Sequence, residues 1–149
     1  MENLLWSIAL PGFGQILNRK YVKGLFFILL EFVVNVKSNF NEVILLSFHG
    51  DIQSAIEKTD YQWLLFYPCL YLFAAWDAYR DSGAGEGKRF SYLPFITAAY
   101  CVTVGLIYST KVKVFGVLLG PVWLPMLGCL VGVLAGLCLR RVLLMMGQR

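Results

Sequence analysis

The sequence predicts an all-α integral membrane protein with about four transmembrane helices and a short N-terminal interfacial or re-entrant helix. Three observations carry this. Hydrophobic residues make up 58% of the 149 and charged residues only 15%, where soluble domains carry about 25% charged residues. The mean hydropathy is positive, at +0.66. The apolar residues also fall in runs near the length a hydrocarbon core demands, and short segments between them hold most of the Lys and Arg.

Residues 4–17 are apolar but too short for a comfortable crossing, so this piece is expected to lie in the interface, with Trp6 as an anchor, or to dip in and return. The N-terminus has acidic Glu2, no basic stretch and no A-x-A site after Ala9, which argues against a cleaved signal peptide. Pro11 lacks an amide donor and disfavours helix at Leu10, so a helix starting near Leu4 is expected to stop there. Gly12 and Gly14 permit the turn. Gln15 and Asn18, three residues apart on one helical face, are expected to bond the freed backbone or Glu31. Arg19, Lys20 and Lys23 mark a water-facing edge.

Residues 21–36 form the next apolar run, marginal in length for a span and ending at Lys37. Glu31 lies deep inside it, with Asn35 four residues on. Polar groups at such depth are costly in lipid and are expected to face protein or water, with Glu31 bonded to Gln15, Asn18 or a Tyr hydroxyl of a neighbouring helix. Residues 38–60 are mixed and read as a surface loop with an amphipathic helix at about 51–58. Residues 61–79 read as a second span with aromatic residues at both ends, bent at Pro68. Asp77 and Arg80 stand three apart, positioned to pair at its lower boundary.

Residues 82–91 are a glycine-rich loop. It fails as a phosphate loop, because GxxxxGK[ST] needs Gly at 82 and Ser or Thr at 89, where Ser82 and Arg89 stand. Residues 92–109 are a third span, and 114–139 a long uncharged run closed by Arg140 and Arg141. Gly128, Gly132 and Gly136 repeat every four residues within it, with Gly116 and Gly120 at the same spacing upstream. Small residues at this spacing clear a groove that lets another backbone approach. The partner is either the 92–109 helix, where Ala98, Ala99 and Gly105 offer small surfaces, or a second copy of the chain.

Pro11-Gly12-Phe13-Gly14-Gln15, with Asn18 and then Lys23-Gly24, resembles the small bacterial multi-pass membrane proteins built on a PGxGQ-x-x-N…KG hairpin. It is loosely similar to the TM-two domain, whose second helix ends in Trp-Asp as Trp76-Asp77 does here. Leu17-Asn18-Arg19 replaces the FY-x-G element of that domain, so the looser group is the nearer one. The resemblance covers about residues 4–81 and implies a helical hairpin, with no activity attached. The chain thus divides into a hairpin module (1–81), the cytoplasmic loop (82–91) and a C-terminal transmembrane hairpin (92–149).

Orientation follows from basic residues in short loops. Segments 18–23, 80–91 and 140–149 hold nine, against four at Lys37, Lys58, Lys111 and Lys113. The expectation is a multi-pass protein of the cell membrane with its C-terminus cytoplasmic. The four cysteines (Cys69, Cys101, Cys129, Cys138) sit in apolar runs without metal-ligand spacing, and His49 is the only histidine, so no metal site and no cofactor are expected. The basic residues lie between apolar runs, which points to no nucleic-acid partner. No catalytic set is recognisable. The expected role is non-enzymatic: a packing or oligomerising component or subunit of a membrane complex, whose partners are the bilayer and a second copy or another membrane protein. The alternative is a small channel or transporter with Gln15, Asn18, Glu31 and Asn35 along a polar path.

Overall fold

The computed structural model describes residues 2–83, 85 and 87–147, with side chains from Leu5 onward. Ala84 and Glu86 of the glycine-rich loop, and Arg149 of the nine basic residues, lie outside the described residues. In order, the elements are α1 (Glu2–Ala9), α2 (Phe13–Leu17), α3 (Tyr21–Ser38), α4 (Phe40–Phe48), α5 (Ile52–Lys58), α6 (Tyr61–Leu64), α7 (Tyr67–Asp81), α8 (Leu93–Tyr108), β1 (Lys113–Val114), β2 (Val117–Leu118) and α9 (Gly120–Met146). Among the described residues the regular structure is all helical apart from one antiparallel hairpin with two-residue strands, in which Lys113 faces Leu118 and Val114 faces Val117. Among the described residues one helix, α9, is long and apolar enough to cross a membrane. α8 is apolar but has 16 residues, and α3 has 18 but carries Lys23, Glu31 and Lys37.

The break after α1 falls where proline and glycine stand: Gly12 has φ 106° and caps α2. It also faces Gly24 at the start of α3. A Cβ on Gly24 would lie 2.8 Å from the Gly12 carbonyl oxygen and 2.6 Å from Ile16 Cγ1, so the two helices cross with no room for a side chain at either glycine.

Several expectations are corrected. Residues 40–48, read as loop, are the helix α4. Its apolar face packs Val43 against Ala55 of α5 and Val122 of α9, and Trp123 donates its indole N–H to the Ser47 carbonyl at 3.1 Å. Asn39 absorbs the turn between α3 and α4 at φ 57°, a conformation Asn tolerates better than most residues. The 61–79 span is two helices rather than one bent one. Asp60 caps α6 by accepting from the Gln62 and Trp63 amides, and Pro68 occupies the first turn of α7, where its missing donor costs nothing. Arg140 and Arg141 do not close the last helix. α9 continues through good helix formers to Met146, giving 27 residues and about 40 Å of length.

The glycine repeat also divides. Gly116 lies in the hairpin turn with Phe115, both at positive φ, as such two-residue turns require. Gly120 opens α9 against Ile52. Gly128, Gly132 and Gly136 face α8 in antiparallel register. An added Cβ would lie 2.6 Å from the Cys101 carbonyl oxygen at 128, 2.5 Å from Ala98 Cα at 132 and 2.5 Å from Pro94 Cα at 136. The contact extends upward to Gly105, which meets Pro125. The Thr97 hydroxyl lies 2.7 Å from both the Leu93 and Gly132 carbonyl oxygens, tying the two helices. Ala98 and Gly105 belong to this contact and are buried, whereas Ala99 lines a groove on the other side of α8.

Since Gly128 and Gly132 meet backbone, and Gly136 meets backbone and the Thr97 hydroxyl, position 132 has nowhere to yield. Gly132→Ala is expected to destabilise by roughly 1–3 kcal/mol, the usual cost of overpacking, and Gly132→Leu by more. Thermal unfolding in detergent should show both shifts while the mass of the particle stays unchanged. A fall in mass with an unaltered melting temperature would place the partner in a second copy.

Candidate polar junction between the N-terminal turn and helix 7

Buried polar side chains gather where α2 and the start of α3 meet the end of α7. α7 presents Ala74, Ala75 and Ala78 there, all at 1% exposure or less. Their small side chains bring its backbone carbonyls within reach of a neighbour. The Gln15 amide, itself fully buried, donates through Nε2 to the Ala74 carbonyl at 2.8 Å and to Asp77 Oδ2 at 3.1 Å. One turn on, Asn18 Nδ2 donates to the Ala78 carbonyl at 2.9 Å. Two amides three residues apart on α2 thus match two carbonyls four residues apart on α7, which is the natural spacing of facing helical ridges. Both groups facing Gln15 Nε2 are acceptors, so the orientation of its amide follows from chemistry.

Asp77, 2% exposed, has its remaining capacity used by cations. Oδ1 accepts from Lys23 Nζ at 2.9 Å and from Arg80 Nη2 at 2.9 Å. Lys23 reaches Asp81 Oδ2 at 3.3 Å, and Arg80 reaches Asp81 Oδ1 at 3.0 Å. Two carboxylates and two cations therefore form a closed, neutral set, and the Arg80 guanidinium also lies 4.8 Å from the Trp76 ring centroid. A buried carboxylate that loses its partners is costly, so this set requires all its members. Chemically it is a lock between chain segments about 60 residues apart.

Comparison with known proteins gives no match to a family model, to a curated protein or to a solved structure.

The structure sorts the candidate residues into separate places. Pro11, Gly12 and Gly14 form the turn that aims α2 at α7. Gln15 and Asn18 reach α7, correcting the expectation that they bond Glu31 or the broken N-terminal backbone. That backbone is largely satisfied locally, with the Leu10 amide bonding the Trp6 carbonyl and the Phe13 amide the Leu10 carbonyl. Glu31 lies beside the Tyr67 hydroxyl of α7, the tyrosine partner expected for it among the alternatives. Asn35 donates to Asn41 at 3.2 Å in an exposed position, so the four polar residues expected along one path are not brought together. Asp77 pairs with Arg80 as its spacing suggests. Lys23 and Asp81 were missed as parts of the junction. Lys23 read only as an edge marker, although Ala74 and Ala78, small residues at helical spacing before an acid, signalled a close approach.

The ion pairs set a pH window. The hydrogen bond to Asp77 holds the Lys23 ammonium above its usual range, outweighing burial, which acts the other way. For Asp81, burial raises the carboxyl, but the hydrogen bonds and charges of Arg80 and Lys23 outweigh it and hold the group below the usual carboxylate range. A raised lysine stabilises the fold fully below its unfolded value and ceases to as pH rises through the folded one. A lowered aspartate stabilises above its unfolded value and ceases to as pH falls through the folded one. The melting temperature is therefore expected to be flat between about pH 5 and 9 and to fall outside that range. Asp81→Asn should shrink the acid limb, and an unchanged acid limb would exclude Asp81 as its source. Gln15→Leu removes two donated bonds and is expected to cost about 1–3 kcal/mol, read as a lower melting temperature at neutral pH.

Proposed function

We propose that the chain is a non-enzymatic, multi-pass component of the cell membrane. In this reading the junction and the α8–α9 contact form a rigid body that presents apolar helix faces to lipid and to partner subunits. One observation carries it: large apolar side chains cover the outer helix faces while several polar side chains are buried. Ser7, Gln15, Ser38, Ser47, Asp77 and Ser109 are buried, while Leu25, Phe26, Leu29 and Phe32 of α3 and Leu130, Val131 and Leu134 of α9 are more than half exposed. An apolar exterior of this extent is unfavourable in water and favourable in hydrocarbon.

The distribution of charge supports an orientation. Lys23 joins Asp77 and Asp81, Lys88 donates to the Tyr79 hydroxyl, and Arg140 donates to the Arg89 carbonyl. The basic segments 19–23, 80–89 and 140–141 thus share one end. The other end joins Ser38 to Asp60, Asn39 to Lys58 and Tyr61 to Ser109, and carries the four remaining lysines. The basic end is placed in the cytoplasm, with the C-terminus. The PGxGQ-type hairpin is the reading proposed for residues 1–81, because its Gln, Asn and Lys and the Asp of Trp76-Asp77 make one contact.

A channel or transporter is the competing reading. Glu31→Gln in a liposome flux assay separates the two: no flux above empty vesicles for either form is expected, and flux abolished by the substitution overturns the proposal. For topology, Lys88→Cys and Lys58→Cys in a background without native cysteines are expected to label from opposite sides of intact cells. Labelling of both from outside overturns the orientation.

A further inference from the structure

A second feature lies beside the junction and takes no part in it. Between α7 and α8 runs an open apolar groove of about 630 Å³, walled by Leu72, Phe73 and Trp76 on one side and by Phe95, Ile96 and Ala99 on the other. Its size falls within the range of small-molecule sites. At the basic end of the protein the groove wall continues into aromatic rings that carry cations. Tyr79 packs against Phe95 with centroids 6.0 Å apart, and Lys88 Nζ lies 5.8 Å above the Tyr79 ring. Tyr92, also in the groove wall, meets Phe90 at 6.5 Å, and Arg89 lies 5.8 Å above the Phe90 ring. Arg140 of α9 joins them by donating to the Arg89 carbonyl at 3.2 Å.

The charges here differ from those in the junction. The described carboxylates nearest in sequence to Lys88 and Arg89, Asp81 and Asp77, are engaged by Lys23 and Arg80, and Glu86 lies outside the described residues. Among the described residues, Lys88, Arg89 and Arg140 form no ion pair. The feature is therefore a hydrocarbon-lined slot whose aromatic end carries three cations without an ion pair among the described residues.

We propose that this groove is a binding site for an anionic phospholipid, with one acyl chain along α7 and α8 and the phosphate on Lys88, Arg89 and Arg140. The inference rests on the membrane reading above and goes beyond it by naming a specific site and a headgroup charge. Basic clusters at the cytoplasmic ends of membrane helices attract anionic headgroups, and a guanidinium matches a phosphate better than an ammonium does. A second copy of the chain is the poorer occupant. Both copies would cross the membrane in the same sense, so a two-fold axis would set the same three cations against their own images.

The test uses the full chain in mild detergent, titrated with phosphatidylglycerol or with phosphatidylcholine of the same acyl chains, with bound lipid counted by native mass spectrometry. One phosphatidylglycerol is expected to be retained several-fold more strongly than phosphatidylcholine. The triple variant Lys88→Gln, Arg89→Gln, Arg140→Gln should lose that preference while keeping its melting temperature. Ala99→Phe, which fills the groove, should weaken retention of both lipids. Equal retention by the wild type, a preference unchanged in the triple variant, or a dimer mass without lipid overturns the site. Flotation with phosphatidylcholine vesicles tests the other layer: a chain that floats without any preference overturns the site alone, and one that fails to float overturns the membrane reading.

Discussion

Everything at the N-terminal half depends on two side-chain amides meeting two carbonyls. Gln15 and Asn18 donate to Ala74 and Ala78, and those carbonyls are reachable only because α7 shows alanines there. Without this contact α2, only five residues of helix, would be held by its packing on α1 and α3 alone, and it is far shorter than helices that persist alone in water. The turn at Pro11 and Gly12 exists to aim it. The Asp77 carboxylate, buried beside the amide, then demands cations, and Lys23 and Arg80 supply them. Turn, amide donors, acid and cations thus form one cooperative unit, in which each donor and charge keeps its partner only while the others are in place.

The C-terminal half solves a different problem by a different route. α8 and α9 are almost free of charge, so no ion pair sets their register. Shape does so instead: Gly128, Gly132 and Gly136 remove every Cβ that would separate the two backbones, and Thr97 bridges them. Because α8 fills the groove that the glycines clear, that face is occupied within the chain. Among the surfaces left open are the apolar sides of α3 and α9 and the groove between α7 and α8.

Much of this was legible in residue order. The break at Pro11, the helical end before the glycine-rich loop, the short helix near 51–58 and the Asp77–Arg80 pair follow from local chemistry that acts over one or two turns. The turn Phe115-Gly116 and the helix α4 were not legible. α4 is held by Val43, Ser47 and Phe48 against α5 and α9, contacts that cross up to 76 positions. The division at 65–66 escaped notice because an uninterrupted apolar run hides an Asp60 cap that starts a short separate helix.

By itself the sequence determined composition, helical class, the site of the first turn and the small faces on the last helix. These are properties of propensity, backbone freedom and side-chain size, which each segment carries wherever it goes. Tertiary structure alone decided the partners. Gln15 chose α7 over Glu31 because Ala74 and Asp77 lay within 3.1 Å. Asn35 turned to Asn41, and the glycine stripe took α8. A polar or small residue announces that it needs a neighbour, but which neighbour comes near is fixed by how whole helices pack, and that is a property of no single stretch.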